Sequence, residues 1–88
     1  MDAHIDRFLS YLSVEKGLSR NTLSAYLQDL QKFVAFAEKR GILRIDQVHR
    51  REIFDFFSEL RSRSLASSSM TRMLSTLRTF FKFLSSEG

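Results

Sequence analysis

The side chains best suited to binding chemistry form one polar face near the end of the chain. They recur at intervals of three and four residues, which is the spacing of one face of a helix. Arginine and lysine side chains neutralise phosphates or make bidentate hydrogen bonds to guanine. The short hydroxyl side chains of serine and threonine donate hydrogen bonds to phosphate oxygens. The alternative is a solvated face that happens to be rich in serine, and the pattern alone favours neither. These residues are Ser68, Arg72, Ser75, Thr79 and Lys82, with Arg78 beside them.

A second polar set lies near the start of a predicted helix, where exposed N–H groups and the helix dipole favour a phosphate. For Ser19, ordinary helix capping is the better interpretation. Arg20, Asn21 and Ser24 are harder to explain by capping alone. The set comprises Arg20, Asn21, Thr22, Ser24 and Gln28.

The sequence offers little for catalysis or for a cofactor. His4 and His49 lie in different predicted elements without a third ligand at metal spacing, so solvated histidines are the better interpretation. The absence of cysteine excludes disulfides and thiolate sites, and the three glycines form no phosphate-binding loop. Asp55 and Glu59 are four residues apart, as on a solvated helix face interleaved with arginine. We therefore expect no enzyme activity, metal or cofactor in this chain itself.

The positive charge is concentrated in two segments. The 88 residues carry a net charge of +4. Residues 19–44 carry +3 (five Lys or Arg against two Asp or Glu), and residues 64–88 carry +2 (three against one). These segments contain both polar sets, whereas Arg50 and Arg51 lie in a segment whose charges cancel and are better read as solvated. No apolar run approaches the roughly 20 residues that span a bilayer, so we expect a soluble cytoplasmic protein.

The first half of the chain predicts two amphipathic helices. Residues 3–16 carry an apolar stripe that ends before Gly17. The second helix begins at a Ser19 cap, with Leu18 and Leu23 spaced as a hydrophobic staple, and ends at Gly41. The two stripes are Ile5, Phe8, Leu9 and Leu12, and then Leu23, Tyr26, Leu27, Leu30, Phe33, Val34 and Ala37.

The second half predicts two more helices. Residues 42–48 form a connection with about one helical turn, and a helix follows over residues 50–63, with His49 as its cap and Glu52 folding back on that cap. Residues 64–69 are a serine-rich stretch that could form a flexible linker. A short loop that runs into a helix cap at Ser67 or Ser68 is the better interpretation, because the apolar periodicity begins at once. The stripes are Ile53, Phe56, Phe57 and Leu60, and then Met70, Met73, Leu74, Leu77, Phe81 and Leu84.

These four helices predict an all-α, compact four-helix bundle over residues 1–84, monomeric in isolation, with residues 85–88 as the start of a linker. Four phenylalanines lie off the main stripes, which indicates either a wide core or a surface for a protein partner. They are Phe36, Phe54, Phe80 and Phe83.

The order and spacing of these motifs resemble one family over nearly the whole chain, the N-terminal domains of Xer-type recombinases and phage integrases. The resembling segments are FLSYL (8–12), EKGLSRNTLSAY (15–26), DL (29–30), Phe33, SSS (67–69), Arg72, LS (74–75), LR (77–78) and FFKFL (80–84).

This resemblance implies a SAM-like core-binding domain, which forms half of a clamp around duplex DNA with its second and fourth helices facing the major groove. Catalysis in that family uses a tyrosine nucleophile with arginine, lysine and histidine in a separate C-terminal domain. None of those motifs occurs here, and Tyr11 and Tyr26 lie on helical stripes. The linker at residues 85–88 would lead to that catalytic domain.

The hypothesis from sequence is a DNA-binding domain that grips a recombination half-site, beside other recombinase subunits on the same DNA. Arg20, Arg72, Arg78 and Lys82 would contact phosphates or guanines, and Arg72→Ala would weaken binding without unfolding the bundle. The alternatives are a protein-protein module of recombinase assembly, using the off-stripe phenylalanines, and a free-standing small DNA-binding regulator. Shorter contacts would come from Asn21, Thr22, Ser24, Gln28, Ser69 and Ser75.

Overall fold

The computed structural model describes residues 1–64 and 66–87, and of Glu87 the backbone only. Leu65, in the predicted loop, and Gly88, in the predicted linker, lie outside the described residues. The described chain contains four α-helices and one short 3₁₀ turn, which confirms the all-α prediction. The helices are α1 (Asp2–Val14), α2 (Arg20–Lys39), α3 (Arg50–Ser62) and α4 (Ser67–Glu87), and the 3₁₀ turn spans Ile45–Gln47.

The boundaries of α2 follow the local signals in the sequence. Ser19 Oγ accepts the Thr22 N–H at 3.3 Å, so Ser19 is the predicted cap. At the other end, Gly41 has a left-handed φ of +77°. There the Ile42 N–H donates to the Ala37 carbonyl at 2.9 Å and the Gly41 N–H donates to the Glu38 carbonyl at 3.0 Å, which is a Schellman motif.

Gly41→Ala is expected to lower the free energy of unfolding by about 1 kcal/mol, because alanine is strained in the left-handed region. A Cβ at Gly41 would meet no atom within 4 Å, so the cost is conformational. Ser64, just past α3, holds a left-handed φ of +58° without being glycine. Ser64→Gly should therefore be neutral or stabilising by about 0.5 kcal/mol. Urea unfolding of the two variants measures both free energies of unfolding. Equal losses of stability in Gly41→Ala and Ser64→Gly would contradict these expectations.

The third helix begins as its sequence predicts. His49 occupies the position before Arg50, and Glu52 Oε1 accepts the His49 N–H at 2.6 Å. A salt bridge joins the end of α2 to α3, since Arg40 Nη1 lies 2.8 Å from Asp55 Oδ2. The Arg40 guanidinium also lies 4.9 Å from the centroid of the Phe36 ring.

Both ends of α4 differ from the prediction. The Ala66 carbonyl accepts the Met70 N–H at 3.0 Å, so the helix already includes Ser67, and the prediction of a cap at Ser67 or Ser68 is wrong. The helix continues to Glu87, three residues beyond the predicted end at Leu84. Residues 85–87, which the sequence predicts as the start of a linker, are therefore helical.

Helix α2 lies at the centre of the fold and packs against α1, α3 and α4, while α1 also packs against α4. Phenylalanine dominates the core. The Phe8 ring is fully buried, and its centroid lies 5.2 Å from that of Phe80, 5.5 Å from that of Phe83 and 5.8 Å from that of Tyr26. Around α3, the Phe56 ring lies 5.2 Å from Phe33 in an edge-to-face arrangement.

Three of the four off-stripe phenylalanines belong to this core. Phe36, Phe80 and Phe83 are buried, whereas Phe54 is 71% exposed. The core is therefore wide. Of the four residues proposed for a partner surface, Phe54 is the one that remains exposed.

The buried face of α4 is turned relative to the predicted stripe. The buried residues are Met73, Thr76, Leu77, Phe80 and Phe83. Leu74, predicted to lie in the core, is 40% exposed, and Thr76, which the prediction left out, is buried. The polar residues of α4 are turned with it, and this places Arg72 beside α2.

Candidate nucleic-acid interface

The first half of α2 and the first half of α4 line a groove of about 330 Å³. Four residues that the sequence predicts for binding lie in it: Asn21 and Thr22 from α2, and Arg72 and Ser75 from α4. The fold thus brings together parts of two sets that are about 50 residues apart in the chain. The lining consists of Asn21, Thr22, Ala25, Tyr26, Asp29, Arg72, Ser75 and Thr76.

A buried carboxylate lies at the base of this groove. Asp29 is fully buried and receives three hydrogen bonds from α4. Arg72 Nη2 donates to Oδ1 at 2.7 Å and Arg72 Nε donates to Oδ2 at 3.2 Å, while Thr76 Oγ1 donates to Oδ2 at 2.9 Å. A buried carboxylate is stable only with such partners, so these bonds fix the register of α4 against α2.

The same contacts hold Arg72 in one orientation. Its side chain is 52% exposed, whereas that of Asp29 is 1% exposed. Hydrogen bonding and attraction to Asp29 raise the pKa of the Arg72 guanidinium above its ordinary value, so the group stays charged. The Nε–Nη2 edge faces Asp29, which leaves both N–H groups of Nη1 and the second N–H of Nη2 free of that carboxylate.

A second groove, of about 360 Å³, lies between α4 and the end of α1. It brings the predicted residues Thr79 and Lys82 together with Lys16. The Lys16 Nζ lies 5.9 Å from the centroid of the Tyr11 ring. Sequence reasoning missed Lys16 because residues 1–18 are acidic overall, although its place just before Gly17 puts a cation at the end of α1.

The remaining predicted residues line neither groove. Ser69 is half-buried, and the others, Arg20, Ser24, Gln28, Ser68 and Arg78, are exposed. Two of the predicted hydroxyls already have partners close by in the chain. Thr22 Oγ1 lies 3.0 Å from Ser19 Oγ, and Thr79 Oγ1 donates to the Ser75 carbonyl at 2.9 Å.

The cations of α4 fall into two kinds. Arg72 is neutralised by Asp29, whereas Arg78 and Lys82 are exposed and make no ion pair with any residue that the structure describes. Arg78 and Lys82 are therefore the residues of α4 whose full charge faces solvent.

The histidines lie apart in the fold. His49 is exposed at the start of α3. His4 is half-buried rather than solvated as predicted, and its Nδ1 is shielded and unpartnered among the described residues. Over residues 1–64 and 66–87, no group of three His, Asp or Glu side chains is placed to hold a metal ion.

Four helices packed around a phenylalanine core, with a groove between α2 and α4, define a small all-α domain. The chain belongs to the family of phage integrase N-terminal SAM-like domains, whose model matches residues 5–88. This confirms the resemblance seen in the sequence.

Curated relatives match along the whole domain. The chain is 37% identical over 83 residues to the tyrosine recombinase XerD of Staphylococcus saprophyticus, covering 94% of this chain and 28% of that protein. It is 35% identical over 88 residues to the tyrosine recombinase XerC of Oceanobacillus iheyensis, covering all of this chain and 29% of that protein. It is 38% identical to the tyrosine recombinase XerD of Listeria innocua, covering all of this chain and 30% of that protein.

The chain thus spans less than a third of the length of these relatives. No solved structure matches it significantly. None of the helices in the described part of the chain has the length and apolar character needed to cross a bilayer.

Proposed function

We propose that this chain binds duplex DNA as the N-terminal domain of a site-specific tyrosine recombinase, in the cytoplasm. The observation that carries the proposal is the groove in which Asn21 and Thr22 meet Arg72 and Ser75. We name the proposed interface the α2–α4 surface. It comprises Arg20, Asn21, Thr22, Ser24, Gln28, Ser68, Ser69, Arg72, Ser75, Arg78, Thr79 and Lys82.

The chemistry of this surface suits DNA. Most contacts between proteins and DNA go to phosphate and sugar, from arginine, lysine, hydroxyl and amide side chains, and these are the residue types of the α2–α4 surface. Its free cations, Arg78 and Lys82, supply electrostatic attraction, and the start of α2 adds N–H groups and the positive end of a helix dipole.

In the parent protein, this domain would hold one recombination half-site while a separate catalytic domain breaks and rejoins the strands. Its contribution would be affinity and register on the DNA, with no metal or cofactor. The relatives named above are tyrosine recombinases, which supports this role, and other recombinase subunits on the same DNA would be its protein partners.

The binding surface can be mapped by NMR titration of the labelled chain with a short duplex at two salt concentrations. We expect a dissociation constant of about 10⁻⁴ to 10⁻⁶ M. Shifts should cluster on residues 19–28 and 67–82 and should weaken at the higher salt concentration. A folded chain with no shifts, or with shifts scattered over α1 and α3, would contradict the proposal.

Arg78→Ala and Lys82→Ala are each expected to weaken duplex binding and to reduce the slope of log affinity against log salt by about 1. Each removes one free cation without touching the core. Arg61→Ala is the matched control, since Arg61 is an exposed arginine on α3. Fluorescence anisotropy over a salt series measures these slopes, and an Arg61 variant that lost as much as the α4 variants would show general charge attraction without a defined surface.

The rival, a protein-protein module, now depends on Phe54. A salt-tolerant interaction that buries apolar area, with a large negative heat-capacity change, would favour it over DNA binding.

A further inference from the structure

We propose that Arg72 reads a guanine in the DNA, and that Asp29 and Thr76 are positioning residues that hold Arg72 for this task. The inference rests on the proposed DNA-binding function. It assigns sequence readout to one residue of the α2–α4 surface and non-specific attraction to others.

Arg72 and Asp29 together carry no net charge, and they lie 2.7 Å apart. Affinity for phosphates comes mainly from the release of counterions by net positive charge. Arg72 is therefore a weak source of that attraction, which Arg78 and Lys82 supply with their unpaired charges.

Two parallel hydrogen bonds to a buried carboxylate fix the plane of the Arg72 guanidinium, and the half-exposed Arg72 side chain lines the groove. Guanine presents two acceptors, O6 and N7, side by side in the major groove, and a forked pair of N–H donors fits them. Because the Arg72 guanidinium is already held in one orientation, it loses little conformational entropy on binding. This favours a ligand whose acceptors also have a fixed geometry, as O6 and N7 of guanine do.

Asp29 and Thr76 are buried, so neither can touch DNA. The walls beside Arg72 carry short side chains, namely Thr22, Ala25 and Ser75, which leave room for the edge of a base. Any effect of Asp29 or Thr76 on the choice of base must then act through Arg72.

The test is to bind the chain to a library of duplexes with randomised sequence at low salt, and to sequence the retained DNA. The wild-type chain should enrich guanine at one position. Arg72→Lys keeps the charge beside Asp29 but lacks the planar fork, and it should reduce the preference for guanine about tenfold. Its affinity for the unselected library should change by less than about threefold.

Asp29→Asn distinguishes a role of Asp29 in orienting Arg72 from a role in stabilising the fold. The variant keeps the shape of the side chain but releases the charge of Arg72, so the preference for guanine should fall. Affinity for the unselected library should rise, and its salt slope should steepen by up to about 1. If Asp29 had only a structural role, Asp29→Asn would lower both the preference for guanine and the affinity for the unselected library. Thr76→Val removes only the hydroxyl donor and should reduce the preference by a smaller factor, with thermal unfolding of every variant recorded alongside.

Arg78→Ala is the matched control, and it should weaken all sequences equally. An undiminished preference for guanine in Arg72→Lys would overturn the inference, because lysine keeps the charge that a phosphate contact needs but lacks the planar fork that reads a guanine. Salt-sensitive binding by the wild type without any base preference would also overturn it, while leaving the proposed function intact. Absence of salt-sensitive binding by the wild type would instead overturn the proposed function, and the inference with it.

Discussion

Phe8→Ala is expected to lower the free energy of unfolding by about 3–5 kcal/mol. Phe8 is fully buried, and its ring contacts aromatic rings from α2 and α4. Its removal leaves a cavity where three helices meet, and neighbouring rings fixed by their own packing can fill only part of it. Since domains of this size are stable by only about 5–15 kcal/mol, the variant should lose a large share of its stability.

The matched control is Phe54→Ala, the same substitution at an exposed position. It should change stability by less than about 0.5 kcal/mol. Urea unfolding followed by circular dichroism measures both variants. Similar midpoints for the two would mean that the ring cluster around Phe8 does not form the core.

Arg72→Ala is expected to destabilise the domain by about 2–4 kcal/mol. The substitution leaves the buried Asp29 carboxylate with Thr76 as its remaining hydrogen-bond donor. The expected cost is below that of a fully buried pair, because the Arg72 side chain is half exposed and water can enter where it was. The expectation from sequence is that Arg72→Ala weakens binding without unfolding the bundle, and the contact with Asp29 adds a cost in stability to it.

Two further variants test the origin of this cost. Arg78→Ala removes an exposed arginine from the same helix and should change stability by less than about 0.5 kcal/mol. The double variant Asp29→Asn with Arg72→Ala should recover part of the loss, because it no longer buries an unpaired charge. Equal stability of the Arg72 and Arg78 variants would show that the pair contributes nothing to the fold.

The helices were largely predictable because their ends depend on neighbouring residues. The Ser19 cap of α2, the Glu52 contact at the start of α3 and the left-handed Gly41 are all local features, and the structure contains each of them. The boundaries of α4 were less predictable, since several serines at residues 67–69 offered equivalent caps and none of them is used.

The buried face of α4 was harder to predict. Apolar side chains lie on two adjoining sides of this helix, so periodicity alone could not choose between the side with Leu74 and Phe81 and the side with Phe80 and Phe83. The choice is made by tertiary contacts, because the Phe8 ring of α1 packs on Phe80 and Phe83.

The Asp29–Arg72 pair was missed because its members are 43 positions apart. One signal was present: Asp29 lies between Tyr26 and Phe33 on the apolar side of α2, where a carboxylate needs a partner from another helix. The number of candidate arginines left that partner undetermined. The DNA contacts of the α2–α4 surface remain predictions.

The aromatic composition gives the domain its own optical reporters. The chain contains no tryptophan and two tyrosines, so tyrosine dominates its near-ultraviolet absorption and emission. Tyr26 lines the groove of the α2–α4 surface and packs edge-on against Phe8, while Tyr11 lies in the second groove against Phe83. In a Tyr11→Phe background, the emission of Tyr26 alone would report both on the integrity of the core and on occupation of the groove, without an added dye.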